Sequence, residues 1–355
     1  MKAALLTKLN HFEIHELEKP VPHSNQVLVN VKAAGICGSD IHKMQSEWKY
    51  ELPMVMGHEF SGQVEAVGED VQSVAVGDRV SIVPFLPCSK CIYCKEAKYQ
   101  LCENYRMIGS HYYGGFEEYV VVPETNVLPI GDKISYEEAA MIEPLAVAAH
   151  GVMGLDPQVG DQVAVFGLGT IGILSVQWLR LAGVKKIIGI DIDPIKLEES
   201  KKYGVTDTIN PLEESLEDRI ADLTKGLGVD ISLECAGSKI TEEQCLLITR
   251  KGGKIGYQGI AYTDVLLHQR AFENIFRREY TVKGFWNSYS APFPGKEWTH
   301  SVEFIEAGKI NLKDMISHRF PLEDIQKAFN ITVHREESYN KVMILPSQDR
   351  EIMRR

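Results

Sequence analysis

Hydrophobic and polar residues alternate in short runs along the first 125 residues. Runs such as QVLVNVKAAG (26–35), SGQVEAVGEDV (61–71) and GDRVSIVP (77–84) are bounded by Gly and Pro. Strands at this spacing, without a long helical pattern, predict a compact, mostly β, barrel-like domain. From about Tyr136 the alanine-rich stretch YEEAAMIEPLAVAAHGVM indicates a helix.

A different pattern extends from Gly160 to about Phe285, where buried-type strands alternate with helical segments. DQVAVFG, KKIIGIDID, VDISLECAG and GGKIGYQGI are the strand candidates. Apolar strands that alternate with helices predict a parallel sheet covered on both faces, and therefore a doubly wound α/β domain. The last seventy residues hold one helix candidate, EWTHSVEFIEAGKI, and one strand candidate, KVMILP. They are too few for a third domain, so we expect them to complete the first.

The length of 355 residues fits this division into two domains. We predict a mostly β catalytic domain at 1–150 and 287–355, and a nucleotide-binding domain at 151–286. The net charge of −11, without any basic block, excludes nucleic acid and anionic membranes as favoured partners. A small anionic substrate remains possible. We see no signal peptide and no apolar stretch of about 20 residues, so a cytoplasmic location is expected.

A glycine pattern marks the predicted cofactor site. Gly167-Leu168-Gly169-Thr170-Ile171-Gly172 follows the strand VAVF and opens a helix, and the next strand ends in Asp191. The first glycine suits a tight turn, the second a close backbone approach to a pyrophosphate and the third close helix packing. Asp191 would bind ribose hydroxyls and repel a 2′-phosphate, which favours NAD over NADP. Lys196 is a second candidate ribose contact, or only a surface lysine.

Four of the seven cysteines lie within fifteen residues. Cys88, Cys91, Cys94 and Cys102 have two-residue gaps that let their thiolates face one centre. Four thiolates without an open position describe a closed structural zinc site, in a lobe at about 86–104. An iron–sulfur cluster is the alternative metal group.

A second metal site is predicted from three separated motifs. Cys37 lies in GICGSDIH, His58 and Glu59 follow in GHE, and Glu143 lies in IEP before the nucleotide domain. One thiolate, one imidazole and carboxylates suit zinc with an open coordination position.

Two further residues follow the cysteine in the same motif. Ser39 would take a proton from a substrate hydroxyl and His42 would pass it towards solvent. The alternative is a polar turn without a catalytic role.

These motifs together resemble the zinc-containing medium-chain alcohol dehydrogenases. GICGSDIH, GHEFSGQVEAVGEDV with GDRV, the four-cysteine lobe, and GLGTIG with Asp191 carry the resemblance. It implies a GroES-like catalytic domain, a Rossmann domain, two zinc ions per chain, NAD, and a homodimer or homotetramer. It also implies oxidation of a small-molecule secondary alcohol.

One position departs from the alcohol dehydrogenases, whose catalytic zinc is held by two Cys and one His. Glu143 takes the place of the second cysteine, which resembles the polyol dehydrogenase branch of the family. The resemblance implies Cys37, His58 and Glu143 as zinc ligands, with Glu59 as an exchangeable fourth ligand.

Within that branch, PFLPCSKCIYC and GFWNSYSAPFPGKEW look most like galactitol-1-phosphate 5-dehydrogenases. The second stretch makes Trp286, Asn287 and Tyr289 candidate substrate-pocket residues, unless they only pack at a domain junction. The implied reaction is oxidation of galactitol 1-phosphate to tagatose 6-phosphate.

The alternatives are a sorbitol or other free-polyol dehydrogenase, a sugar-acid dehydrogenase, an L-threonine dehydrogenase and a non-catalytic NAD-binding regulator. A phosphorylated substrate needs cationic or N–H donors, and the sequence offers candidates without singling any out. These candidates are Lys43, Lys49, His111, Arg270 and Lys296.

Overall fold

The computed structural model describes residues 1–46, 51–334 and 337–347, so Lys49 lies outside the described residues. Its strands are β1 (Lys2–Lys8), β2 (His11–Glu16), β3 (Gln26–Gly35), β4 (Met54–Val55), β5 (Glu59–Val67), β6 (Arg79–Ile82), β7 (Phe85–Leu86), β8 (Arg106–Met107), β9 (Tyr119–Pro123), β10 (Val127–Pro129), β11 (Gln162–Phe166), β12 (Lys186–Ile190), β13 (Asp207–Ile209), β14 (Val229–Glu234), β15 (Thr249–Tyr257), β16 (Thr281–Gly284), β17 (Ile316–Pro321) and β18 (Lys341–Leu345).

The α-helices lie between these strands along the chain. They are α1 (Gly38–Gln45), α2 (Ile92–Lys95), α3 (Tyr136–Ala140), α4 (Ile142–Leu155), α5 (Thr170–Leu181), α6 (Pro194–Ser200), α7 (Leu216–Thr224), α8 (Lys239–Ile248), α9 (Gln269–Arg277), α10 (Lys296–Glu306) and α11 (Ile325–His334). Among the described residues, no helix combines the length and the apolar character needed to cross a membrane.

The chain divides into two compact units. The first comprises Met1–Glu143 and the described part of Tyr289–Arg355, and the second comprises Pro144–Ser288. The expected boundaries, after residues 150 and 286, differ from this division by a few residues. The first difference arises because α4 is continuous across the boundary, so no loop in the sequence marks it.

The first unit is built on a seven-stranded sheet. Its order is β10-β6-β5-β3-β18-β17, and β9 also pairs with β3. The carboxyl-terminal strand β18 pairs antiparallel with β3, at Met343 with Gly35 and Ile344 with Ala34. Alternate residues of β3 are fully buried and pack with Phe60, Phe116 and Phe329 in one core. Each such side chain contributes roughly 1.5–3 kcal/mol when buried.

The second unit contains a six-stranded parallel sheet of order β13-β12-β11-β14-β15-β16. The residues Val163 to Phe166 of β11 are fully buried, as expected for a central parallel strand. The chain runs from β11 outwards to β12 and β13, then returns to β14 on the other side. The strand order therefore reverses beside the carboxyl end of β11, where open α/β sheets bind their ligands.

Candidate active site and cofactor sites

Strand pairing brings the predicted catalytic residues together in the first unit. β3 ends at Gly35, which is paired with Glu59 at the start of β5. Cys37 follows β3 by two residues and precedes α1, and His58 precedes β5. The sequence separation of these residues therefore disappears in the fold.

The ligand atoms of Cys37, His58 and Glu59 all lie within 4.8 Å of one another. His58 and Glu59 are buried and Cys37 is half-buried. Sulfur, nitrogen and oxygen donors at this spacing fit a zinc ion, and three protein ligands leave a coordination position for a substrate.

Asp40 lies behind the imidazole of His58. Its Oδ1 is 3.3 Å from Nδ1 of His58, although the contact lacks the alignment of a hydrogen bond. Asp40 also accepts a hydrogen bond from the backbone N–H of Cys37 at 3.1 Å. Metal-bound histidines are commonly oriented by a carboxylate at the other ring nitrogen. Asp40 was not among the predicted site residues, although its position three residues after Cys37 was the available signal.

The charges around Asp40 determine its ionisation and that of His58. Burial opposes ionisation of Asp40, but His58 and Lys43 outweigh it and hold the pKa of the carboxyl well below its usual range. Burial likewise opposes the protonated imidazole, but Asp40 and Cys37 raise the pKa of His58 well above its usual value. Each of the two groups therefore favours the charged form of the other.

Lys341 is the second site residue that was not predicted from the sequence. Its Nζ donates hydrogen bonds to Oε2 of Glu59 at 2.5 Å and to the carbonyl oxygen of Ile36 at 3.2 Å. Both side chains of the pair are 2% exposed. Burial lowers the pKa of Lys341, but Glu59 and Cys37 outweigh it and raise the pKa overall. Glu59, which was predicted as an exchangeable ligand, is thus paired with the Lys341 ammonium group.

Glu143 lies in the first turn of α4 and is buried. It is not part of the group of three whose ligand atoms lie within 4.8 Å of one another, in which Glu59 takes the carboxylate position. Glu59 is close to His58 because it directly follows it in the sequence, at the start of β5. The predicted role of Glu143 as a zinc ligand stays a prediction. Burial raises the pKa of Glu143 to about 7, and the charges of His58 and Lys341 oppose the increase. Glu143 therefore lies within electrostatic range of the cluster.

Ser39 and His42 lie on the first turns of α1, where residues three apart share a face. Both are half-buried. Nε2 of His42 is 3.4 Å from the hydroxyl of Ser46. The arrangement places a hydroxyl and an imidazole along one face of the helix that Cys37 precedes.

The three predicted pocket residues have different environments. Tyr289, in the first unit, is 1% exposed and stacks on Phe85 with ring centroids 4.3 Å apart. Burial, and then the charge of Glu143, raise the pKa of Tyr289 well above its usual value. Trp286 and Asn287 belong to the second unit, where Trp286 is 48% exposed and Asn287 has a left-handed backbone with φ 57°. A pocket function for these residues stays a prediction.

The four-cysteine lobe has the geometry of a closed metal site. The sulfur atoms of Cys88, Cys91, Cys94 and Cys102 lie within 4.8 Å of one another. Cys88 Sγ and Cys94 Sγ are 4.0 Å apart, close to the roughly 3.8 Å expected between thiolates around a tetrahedral zinc ion. Backbone N–H groups of Lys90 and Cys91 lower the pKa of Cys88 to about 6. The four cysteines form no disulfide bonds, and their arrangement fits a structural zinc ion.

The glycine motif of the second unit forms a cradle between β11 and α5. Gly167 has φ +82°, and a Cβ there would contact Ala236 at 2.8 Å. A Cβ on Gly172 would overlap the carbonyl oxygen of Gly167, whereas one on Gly169 would have open space around it. Gly167 and Gly172 are therefore required by the turn and the helix packing. The space at Gly169, beside the amino terminus of α5, fits a pyrophosphate.

Asp191 is placed at the end of this cradle. Its Oδ2 accepts the N–H of Leu168 at 2.7 Å and its Oδ1 accepts the N–H of Asp193 at 2.9 Å. The carboxylate is half-buried and stabilises the glycine turn through its hydrogen bond with Leu168. Ile171 and Lys196 are half-buried on α5 and α6. Ribose binding by Asp191 and Lys196 stays a prediction.

Comparison with known proteins agrees with both units. Residues 23–132 match the model of the alcohol dehydrogenase GroES-like domain, and residues 170–307 match that of the zinc-binding dehydrogenases. Sorbitol dehydrogenase of Bacillus subtilis is 32% identical, covering 98% of each chain. Galactitol 1-phosphate 5-dehydrogenase of Escherichia coli is 33% identical, covering 92% of this chain and 94% of that protein.

A solved structure is also similar to the fold of this chain. The crystal structure of galactitol-1-phosphate dehydrogenase from Escherichia coli superposes with a TM-score of 0.92, at 32% identity, over 98% of this chain and 100% of that one. The predicted fold class, a GroES-like catalytic domain with a Rossmann domain, is confirmed. The chain therefore belongs to the zinc-dependent, NAD(P)-linked alcohol and polyol dehydrogenases of the medium-chain family.

Proposed function

We propose that the chain oxidises a secondary alcohol of a polyol phosphate, with galactitol 1-phosphate as substrate, NAD as hydride acceptor and tagatose 6-phosphate as product. The observation that carries this proposal is the group formed by Cys37, His58 and Glu59, with the Glu143 carboxyl within electrostatic range. A donor set rich in carboxylates departs from the two-cysteine set of alcohol dehydrogenases. The similarity to galactitol 1-phosphate 5-dehydrogenase supports the particular substrate.

The metal ligands we propose are Cys37, His58 and a carboxylate from Glu59 or Glu143. When bound, zinc would supply Lewis acidity towards the substrate hydroxyl, and NAD would accept the hydride. Asp40 fixes the orientation of His58, since its carboxylate lies at Nδ1 and leaves Nε2 for a ligand. Lys341 compensates the charge of Glu59 while the carboxylate is buried.

Proton removal is assigned to the face of α1. Ser39 Oγ would accept the proton of the substrate hydroxyl, and the imidazole of His42 would carry it onward. Both side chains are half-buried, so they connect the buried cluster with more exposed positions of the helix. We also propose that the enzyme is a homodimer or homotetramer.

A second candidate is oxidation of a free polyol, because sorbitol dehydrogenase is similar over 98% of the chain. The zinc-loaded enzyme should be assayed for NADH formation with galactitol 1-phosphate, galactitol, sorbitol, xylitol and L-threonine at equal concentrations. We expect the highest kcat/KM with galactitol 1-phosphate. A higher value with sorbitol or threonine would refute the proposed substrate. Absence of turnover with all five substrates would refute a polyol dehydrogenase function.

A further inference from the structure

The first unit contains a cavity of about 620 Å³ that none of the predicted catalytic residues lines. Its wall includes Arg106, Ser110, His111 and the two tyrosines Tyr112 and Tyr113. These residues follow the four-cysteine lobe along the chain. Most of them carry hydrogen-bond donors, so the cavity is suited to a polar ligand rather than an apolar one.

Direct contacts connect this cavity with the proposed metal site. Lys43 Nζ donates to Ser110 Oγ at 2.7 Å and lies 3.4 Å from Asp40 Oδ1. Asp40 in turn contacts the imidazole of His58. Gly109, beside Ser110, lies so close to His58 that a Cβ there would be 3.0 Å from the histidine backbone nitrogen. A ligand in the cavity is therefore connected with the metal ligand His58 through a short series of contacting side chains.

Arg106 is the cation that the cavity presents to a ligand. Its side chain is exposed, and its hydrogen bond to the Tyr105 carbonyl oxygen is long, at 3.5 Å. Within the part of the chain that the structure describes, the Arg106 guanidinium has no carboxylate partner. In contrast, Arg250 and Arg319 form short ion pairs with acidic residues. A guanidinium without a carboxylate retains its planar set of N–H donors for a ligand anion.

The neighbouring side chains support an anionic ligand. The backbone N–H of Met107 donates to Nδ1 of His111 at 3.1 Å, so the neutral ring carries its proton on Nε2, which is a donor. Ser110 is braced by the Lys43 ammonium group. Among the described residues of the lining, Glu51 is the acidic one, and its carboxylate can accept hydrogen bonds from sugar hydroxyls. The cavity thus combines donors for a phosphate with an acceptor for a polyol.

We propose that Arg106 binds the phosphate group of the substrate and determines the preference for a phosphorylated over a free polyol. Ser110 and His111 complete the set of donors. The inference rests on the proposed function and adds the residue that distinguishes its two candidate substrates. Arg–phosphate pairs are bidentate and charge-assisted, so losing one should reduce kcat/KM roughly 10- to 100-fold.

The test compares Arg106→Gln and Arg106→Lys with the control Arg219→Gln, which changes a half-buried arginine of the second unit. For each zinc-loaded enzyme, kcat/KM is measured with galactitol 1-phosphate and with galactitol, and inorganic phosphate is tested as a competitive inhibitor. We expect Arg106→Gln to lower the ratio of the two kcat/KM values roughly 10- to 100-fold. Arg106→Lys should retain part of the ratio, and Arg219→Gln should leave it unchanged.

Phosphate inhibition provides a readout that does not depend on the phosphorylated substrate. It should weaken in Arg106→Gln and remain in Arg219→Gln. If the wild type prefers galactitol 1-phosphate but Arg106→Gln retains both the preference and the inhibition, the inference is wrong and the proposed function stands. If the wild type oxidises only free polyols or threonine, the proposed function fails, and the inference fails with it.

Discussion

The buried pair of Glu59 and Lys341 provides the sharpest test of the site's electrostatics. Both side chains are 2% exposed, and the Lys341 ammonium is also bonded to the carbonyl oxygen of Ile36. Lys341→Met replaces the ammonium with an apolar chain of similar length, so overpacking is avoided. The Glu59 carboxylate then remains buried without its cation. This single change therefore isolates the charge compensation.

The expected loss of stability is large. Removing one partner of a buried ion pair costs about 3–5 kcal/mol, because the remaining charge is uncompensated. For a folding unit of this size, about 2–4 °C of melting temperature is lost per kcal/mol, so the transition of the first unit should fall by roughly 6–20 °C. Glu59→Gln/Lys341→Met removes both charges. It should regain about 1–3 kcal/mol relative to Lys341→Met alone.

The assay is thermal unfolding of the metal-free protein, followed by circular dichroism, so that no zinc ion compensates the Glu59 carboxylate. Zinc content is measured to confirm its removal from each variant. Lys327→Met is the matched control, because Lys327 is exposed and its ion-pair partner among the described residues is Asp324, at 3.4 Å. It should change stability by less than about 1 kcal/mol. The reasoning is refuted if Lys341→Met loses no more than this control. It is also refuted if the double variant is as unstable as the single one.

Four further predictions address other parts of the chain. Cys91→Ser should reduce the zinc content by one ion per chain and lower the melting temperature; unchanged zinc content would contradict a structural site. Burial raises the pKa of Glu117 well above its usual value. Its contribution to stability is therefore present below the unfolded pKa and lost as pH rises through the folded pKa. In thermal melts, the melting temperature of Glu117→Met should therefore rise relative to that of the wild type as pH increases from 5 to 8. A difference in melting temperature that does not change with pH would contradict this prediction. Asp191→Ser should raise the ratio of kcat/KM for NADP to that for NAD at least about 10-fold; an unchanged ratio would show that Asp191 only holds the turn. Val282 lies on the exposed edge strand β16, so Val282→Lys should yield monomers in sedimentation, whereas intact oligomers would place the interface elsewhere.

Much of the fold could be predicted because hydrophobic residues recur along the chain with the period of a strand or of a helix. The apolar strand of residues 163–166 and the glycine turn at Gly167 are local signals, so they identified the parallel sheet and the cradle. The division of the two units could not be located as well. α4 continues through Glu143 and Pro144 without a linker, and an uninterrupted helical pattern gives no sign of where the contacts change from one unit to the other.

The residues of the site were predictable to different degrees for a similar reason. Cys37, His58 and the four lobe cysteines have chemistry that is rare enough to identify by type and spacing. Lys341 is a common residue far along the chain from Glu59, and only the pairing of β18 with β3 brings it near the cluster. Arg106 likewise becomes distinctive only because its guanidinium lacks a described carboxylate partner. Ligand atoms are thus signalled by residue type, whereas the charges that surround them depend on tertiary contacts, which a single sequence does not display.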